Sequence, residues 1–162
     1  MVKTKHPKQR NFKRIFLEIV SILFIFLFVY TASAKLWDFQ RFQAQLNVSP
    51  LPSEVAWFTA WFIPTSELVA AVLLCFARFR LYGLMVSSTL MAVFTAYVLF
   101  ILFLSKEIPC SCGGVLESMG WQEHLIFNII FLSLGLFGIR VSRTLNKDNP
   151  FAQRTGEAET LN

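Results

Sequence analysis

Cys110 and Cys112 stand one residue apart and are followed by Gly113-Gly114. Two thiols at this spacing can close a very small disulfide ring, because their Cα atoms can fall in the roughly 4.4–6.8 Å range that a disulfide permits. Such a ring demands a particular backbone path, and strain makes a disulfide easier to reduce. The closed loop is also too short to add much stability through lost chain entropy. The pair therefore suits thiol–disulfide exchange better than stapling. The two glycines supply backbone freedom and can turn amides toward a thiolate. His124 follows on the C-terminal side, where it would lower a cysteine pKa or carry a proton if the fold brings it close. Cys110, on the Pro109 side, is the preferred attacking thiol.

The same residues admit other chemistry. Cys110, Cys112 and His124, with Glu117 or Glu123, are a metal-ligand alternative. Zinc commonly takes four ligands at wider spacing, so a soft metal such as copper fits two thiolates somewhat better. An inert disulfide that orients a loop, or a loop that a partner protein reads, are the remaining readings. Glu67 is a further candidate because it falls near the middle of an apolar block. A carboxylate there must face the bundle interior, neutral or paired. It reads as a proton relay or ligand contact, or as polar glue between helices. Cys75, the third cysteine, reads as a buried small hydrophobe.

The elements that must position these groups are membrane helices. Of 162 residues 55% are hydrophobic and 15% charged, with eighteen Phe and a mean hydropathy of +0.54. A soluble domain of this size needs more polar surface. The apolar residues come in four long blocks rather than amphipathic stripes, at about 15–34, 55–77, 81–104 and 124–140. The expected fold is an all-α membrane protein, a four-transmembrane-helix bundle with a short interfacial helix in its first outer loop. Pro64 should kink the second helix. Gly83 with Ser87-Ser88-Thr89, and Gly135 below His124 and Asn128, should allow close helix approach. The fourth span is short, so it should stand steeply.

Between the first two spans, residues 35–42 alternate charge with aromatic side chains and Leu, the mark of a helix at headgroup depth. Lys35 and Asp38 are spaced to pair on it, as are Arg14 and Glu18 on the first helix. Pro50 and Pro52 break the chain, and Ser53 is placed to cap the second span. The basic residues set the topology. Segments assigned inside hold twelve Lys and Arg, and those assigned outside hold Lys35, Arg41 and Lys106. Both termini are therefore expected in the cytoplasm. Residues 1–14 form a basic flank, 15–141 the membrane domain and 142–162 a cytoplasmic tail. The cysteine pair then faces the periplasm from a bacterial inner membrane, where thiols can be oxidised. The net charge of +5 belongs to this topology. No Gly-rich phosphate loop and no basic–aromatic alternation of the nucleic-acid kind occurs, so the lipid bilayer is expected as a partner and nucleic acid is not.

Over about residues 14–141 the chain resembles the methylamine utilisation protein MauE family, within the DoxX-like superfamily of four-helix membrane proteins. The resemblance rests on Ala34-Lys35-Leu36 with Phe39 and Phe42, on Pro64 with Glu67, and on Cys110-Ser111-Cys112-Gly113, with Trp121 and Asn128. It implies a role in maturing a disulfide-rich periplasmic methylamine dehydrogenase subunit, by disulfide formation or by transport and assembly of that partner. The plan is also similar to quinone-linked disulfide oxidases. Those use two outer cysteine pairs and this chain has one. A full electron relay therefore needs a partner thiol protein or direct contact with a quinone. The leading expectation is a membrane thiol–disulfide protein in which Cys110 and Cys112 cycle, His124 tunes them and Glu67 couples the loop to the bundle. The alternative is a non-enzymatic subunit or assembly factor of a larger membrane complex.

Overall fold

The computed structural model describes residues 7–48, 52–104 and 120–147, and all of its regular structure is helical. In chain order the elements are α1 (Pro7–Trp37), α2 (Phe39–Val48), α3 (Ser53–Cys75), α4 (Arg80–Leu104) and α5 (Trp121–Lys147). Helices α1, α3, α4 and α5 are each long and apolar enough to cross a membrane. The loop with Cys110, Cys112 and Glu117, and the C-terminal tail, lie outside the described residues.

The four long helices pack around one apolar core. Phe24 and Phe28 of α1, Ala70 and Leu74 of α3, and Leu84 and Met91 of α4 are buried in it, with Phe131 and Leu132 of α5 against them. Two glycines set how close the helices come. A Cβ at Gly83 would stand 2.9 Å from the Leu74 side chain, and one at Gly135 would collide with Ser88 Oγ. The expected close approaches at Gly83 and Gly135 are therefore present. Large apolar side chains such as Phe26, Phe58, Val93 and Phe137 point outward, as lipid-facing helices require. A second, smaller cluster joins α2 to the first half of α3 through Phe42, Leu46, Ala56 and Ala60.

Several local expectations are corrected. Helix α1 runs on through Lys35 to Trp37, so Lys35 ends a long helix instead of opening a short one. It pairs with Glu67 and not with Asp38. Asp38 instead accepts a hydrogen bond from the Arg41 backbone N–H at 3.3 Å, capping the start of α2. Among the described residues no ion pair joins Arg14 to Glu18; Glu18 is exposed, and water competes for it. Helix α3 starts at Ser53 with Pro52 in the capping position, which leaves the first turn without a side-chain cap. Cys75 is exposed, because the helix ends there and turns its last residue outward. Helix α5 has 27 residues, about 40 Å of rise, so it is not short.

Helix α3 continues through Pro64, which is fully buried. Proline lacks the N–H that would bond to the Ala60 carbonyl. The two residues after it turn their hydroxyls back onto the same stretch. Thr65 Oγ1 donates to the Trp61 carbonyl and Ser66 Oγ to the Ile63 carbonyl, both at 2.7 Å. These bonds hold the turn that carries Glu67.

Candidate functional site

Lys35 and Thr31 are four apart on α1 and share a face. A helical side chain leans toward the N-terminus of its helix, so Lys35 reaches back into the bundle. Its Nζ donates to Glu67 Oε1 at 2.7 Å and to the Thr31 carbonyl at 3.5 Å. The Thr31 side chain lies beside the same carboxylate. Two rings flank the ammonium, Phe42 of α2 at 5.9 Å and Phe94 of α4 at 5.8 Å. Four helices thus meet at one cation. The Lys35 side chain is 12% exposed and that of Glu67 1%. An ammonium so placed is held by a formal charge, a carbonyl and two ring faces rather than by water.

Glu67 is therefore paired, which answers the question its depth raised. Its second oxygen, Oε2, is buried and has no hydrogen-bond partner among the described residues. Asn128 Nδ2 and the hydroxyls of Ser87 and Ser88 are in the same position. The pair itself offers no nucleophile. What it offers is a fixed link between α1 and α3, and one carboxylate oxygen free to accept a proton or a hydrogen bond.

His124 stands in the first turn of α5, partly buried and within electrostatic reach of Lys35. Asn128 lies one turn further along the same face and is buried. The turn is held by a side-chain cap on one backbone N–H and by the first bond of the helix ladder. The Glu123 carboxylate accepts from the Gly120 N–H at 3.1 Å, and the Gly120 carbonyl accepts from the His124 N–H at 3.0 Å. Glu123 is thus occupied in starting the helix. Among the described residues no three His, Cys, Asp or Glu side chains gather as metal ligands.

Four of the chain's features converge at one end of the bundle. The last turn of α1 carries Lys35, and the first turn of α5 carries His124. Helix α2 folds over α3 there, and the cysteine loop leaves from α4 and returns to α5. The structure brings Glu67 and His124 toward the same lysine; it says nothing of Cys110 and Cys112. Lys35 is the site residue that sequence reasoning misassigned. The signal for it was present: a carboxylate deep in an apolar helix calls for a cation, and between the first two apolar blocks the cations are Lys35 and Arg41.

The family model described as methylamine utilisation protein MauE matches residues 13–141, which takes in α2, α3, α4 and the cysteine loop whole and most of α1 and α5. No curated protein and no solved structure matches the chain.

Proposed function

This chain belongs to the methylamine utilisation protein MauE family, and on that premise we propose that it is an accessory membrane protein that matures a periplasmic client by thiol–disulfide exchange. The Lys35–Glu67 pair carries the reading. A buried ion pair that joins the first and second spans gives the bundle a rigid upper end. From that end the Cys110–Cys112 loop departs, and His124 stands at its return. The pair also supports placing the family in the DoxX-like superfamily. The topology that goes with this reading puts both termini in the cytoplasm and α2 at the outer interface. Residues 1–14 are then a basic flank, 15–141 the membrane domain and 142–162 a tail, in a bacterial inner membrane.

In the exchange, a client thiolate attacks one sulfur of the Cys110–Cys112 disulfide and forms a mixed disulfide. The second client thiolate attacks that bond, and the client leaves oxidised while Cys110 and Cys112 leave as thiols. Two electrons now reside on the pair. They pass to a thiol-disulfide partner or to a membrane quinone, which acts as a co-substrate. His124 takes up the proton of the attacking thiol. Glu67, held by Lys35, positions the helices beneath and moves no electrons.

The test is replacement of both outer cysteines by serine, with the disulfide content of the secreted client read by thiol-specific gel shift. Loss of client disulfides with the membrane protein still present supports the exchange. A second reading, a non-enzymatic subunit that holds its client, is favoured by the mutual neutralisation of Lys35 and Glu67. Under it the doubly substituted chain still copurifies with its client, and client disulfides form normally.

A further inference from the structure

At the end of the bundle away from the cysteine loop, a cleft of about 530 Å³ opens between α1, the α3–α4 turn and α5. Four arginines line it: Arg10 and Arg14 from α1, Arg78 from the turn and Arg80 from the start of α4. Ser142 and Asn146 of α5 complete the polar wall. Like charges repel, so four guanidinium groups gathered around one hollow favour an anion among them. The one acidic residue in the lining, Glu18, makes no ion pair with any of them among the described residues. Arg80 Nε is buried and lacks a hydrogen-bond partner among the described residues. The cleft therefore holds a surplus of directed positive charge and at least one donor in want of an acceptor.

We propose that this cleft binds the phosphate headgroup of an anionic phospholipid. The fork of a guanidinium matches phosphate oxygens, and two or more such forks converging from different helices match a phosphodiester in particular. The acceptor must be anionic, small enough for the cleft, and delivered at the membrane surface. The cleft lies where the apolar spans end. Exposed Ile15 of α1 and Phe79 and Tyr82 beside the α3–α4 turn lie next to it and would flank acyl chains. A lipid phosphate reaches such a place together with its chains, and a free phosphate does not gain from them. Basic hollows between membrane helices on the cytoplasmic side are suited to this use. The lipid would tie the first helix to the third and fourth at the end that the Lys35–Glu67 pair does not reach. The proposal does not depend on any role of the cysteines.

The experiment uses the full chain in detergent and native mass spectrometry. Phosphatidylglycerol, phosphatidylcholine and inorganic phosphate are the three probes. The expected result is one retained phosphatidylglycerol per chain, with phosphatidylcholine retained far less. Arg78→Gln and Arg80→Gln should each weaken retention roughly five- to tenfold. Arg143→Gln removes the same charge outside the cleft and should leave retention unchanged. Each variant is first shown to elute as the parent does on size exclusion. Equal retention of the two lipids, or equal loss from Arg143→Gln and Arg80→Gln, overturns the proposal in favour of diffuse attraction. Displacement of the lipid by millimolar inorganic phosphate overturns the lipid as the source.

Discussion

Lys35 Nζ and Glu67 Oε1 lie 2.7 Å apart, although 32 positions separate them in sequence. The contact closes the first span onto the second, with the Glu67 side chain 1% exposed and that of Lys35 12%. Removing one partner leaves the other buried and uncompensated, at a cost of about 3–5 kcal/mol. Lys35→Met and Glu67→Gln should each lower the unfolding midpoint in detergent by well over 5 °C. The double variant Lys35→Met/Glu67→Met should recover much of the loss, because no charge is then stranded. A double-mutant cycle with no coupling between the two sites would show that the pair is incidental.

Gly135 of α5 stands so close to Ser88 of α4 that a Cβ there would collide with the Ser88 hydroxyl. Gly135→Ala should destabilise by about 1–3 kcal/mol through overpacking. Adding Ser88→Ala removes the colliding hydroxyl and should restore most of that loss. Thermal unfolding of the three variants measures it, and a double variant as unstable as the single one would place the strain elsewhere.

Glu123 and His124 are neighbours with different work. Glu123→Ala removes the cap on the Gly120 N–H and should cost about 0.5–2 kcal/mol of stability. It should leave thiol reactivity unchanged. His124→Gln should do the opposite: little loss of stability, and a shift of half-maximal alkylation of the outer cysteines to higher pH. That sign follows because an imidazole that accepts the thiol proton favours the thiolate and glutamine cannot accept it, so the thiolate then forms only at higher pH. Alkylation rate against pH separates the two, and identical profiles for His124→Gln and the parent would remove histidine from the chemistry.

The topology has its own reporters. Cys75 is exposed at the end of α3 nearest the arginines, and Cys110 and Cys112 belong to the opposite loop. In sealed vesicles of known orientation, an impermeant maleimide should reach Cys110 and Cys112 from the periplasmic face. Cys75 should react from the cytoplasmic face alone. Labelling of all three from one side is incompatible with the single span, α4, that separates Cys75 from the other two.

The spans themselves were legible because a membrane helix is written in a single property, a run of apolar residues of known length. The close approaches at Gly83 and Gly135 were legible for the same kind of local reason. Long-range pairing was less so. Glu67 announced that it needed a partner, but Lys35 also stood three residues from Asp38, and spacing alone favoured the nearer carboxylate. The structure chose the farther one because Lys35 belongs to α1 and leans back toward the N-terminus of that helix, while Asp38 caps the next helix. Cys75 was misread because burial depends on which way the last turn of α3 faces. Helix α5 was misread because its polar ends, from Trp121 and from Arg140 onward, continue the helix beyond its apolar centre.

The central claim is that Cys110 and Cys112 exchange electrons with a client, and a redox titration of the purified chain tests it most directly. The chain is equilibrated in buffers of set potential, the thiols are trapped, and the oxidised fraction is read by mass. The account predicts one two-electron transition between about −300 and −120 mV, absent after Cys110→Ser. A pair that stays fully oxidised or fully reduced across that whole window would contradict it.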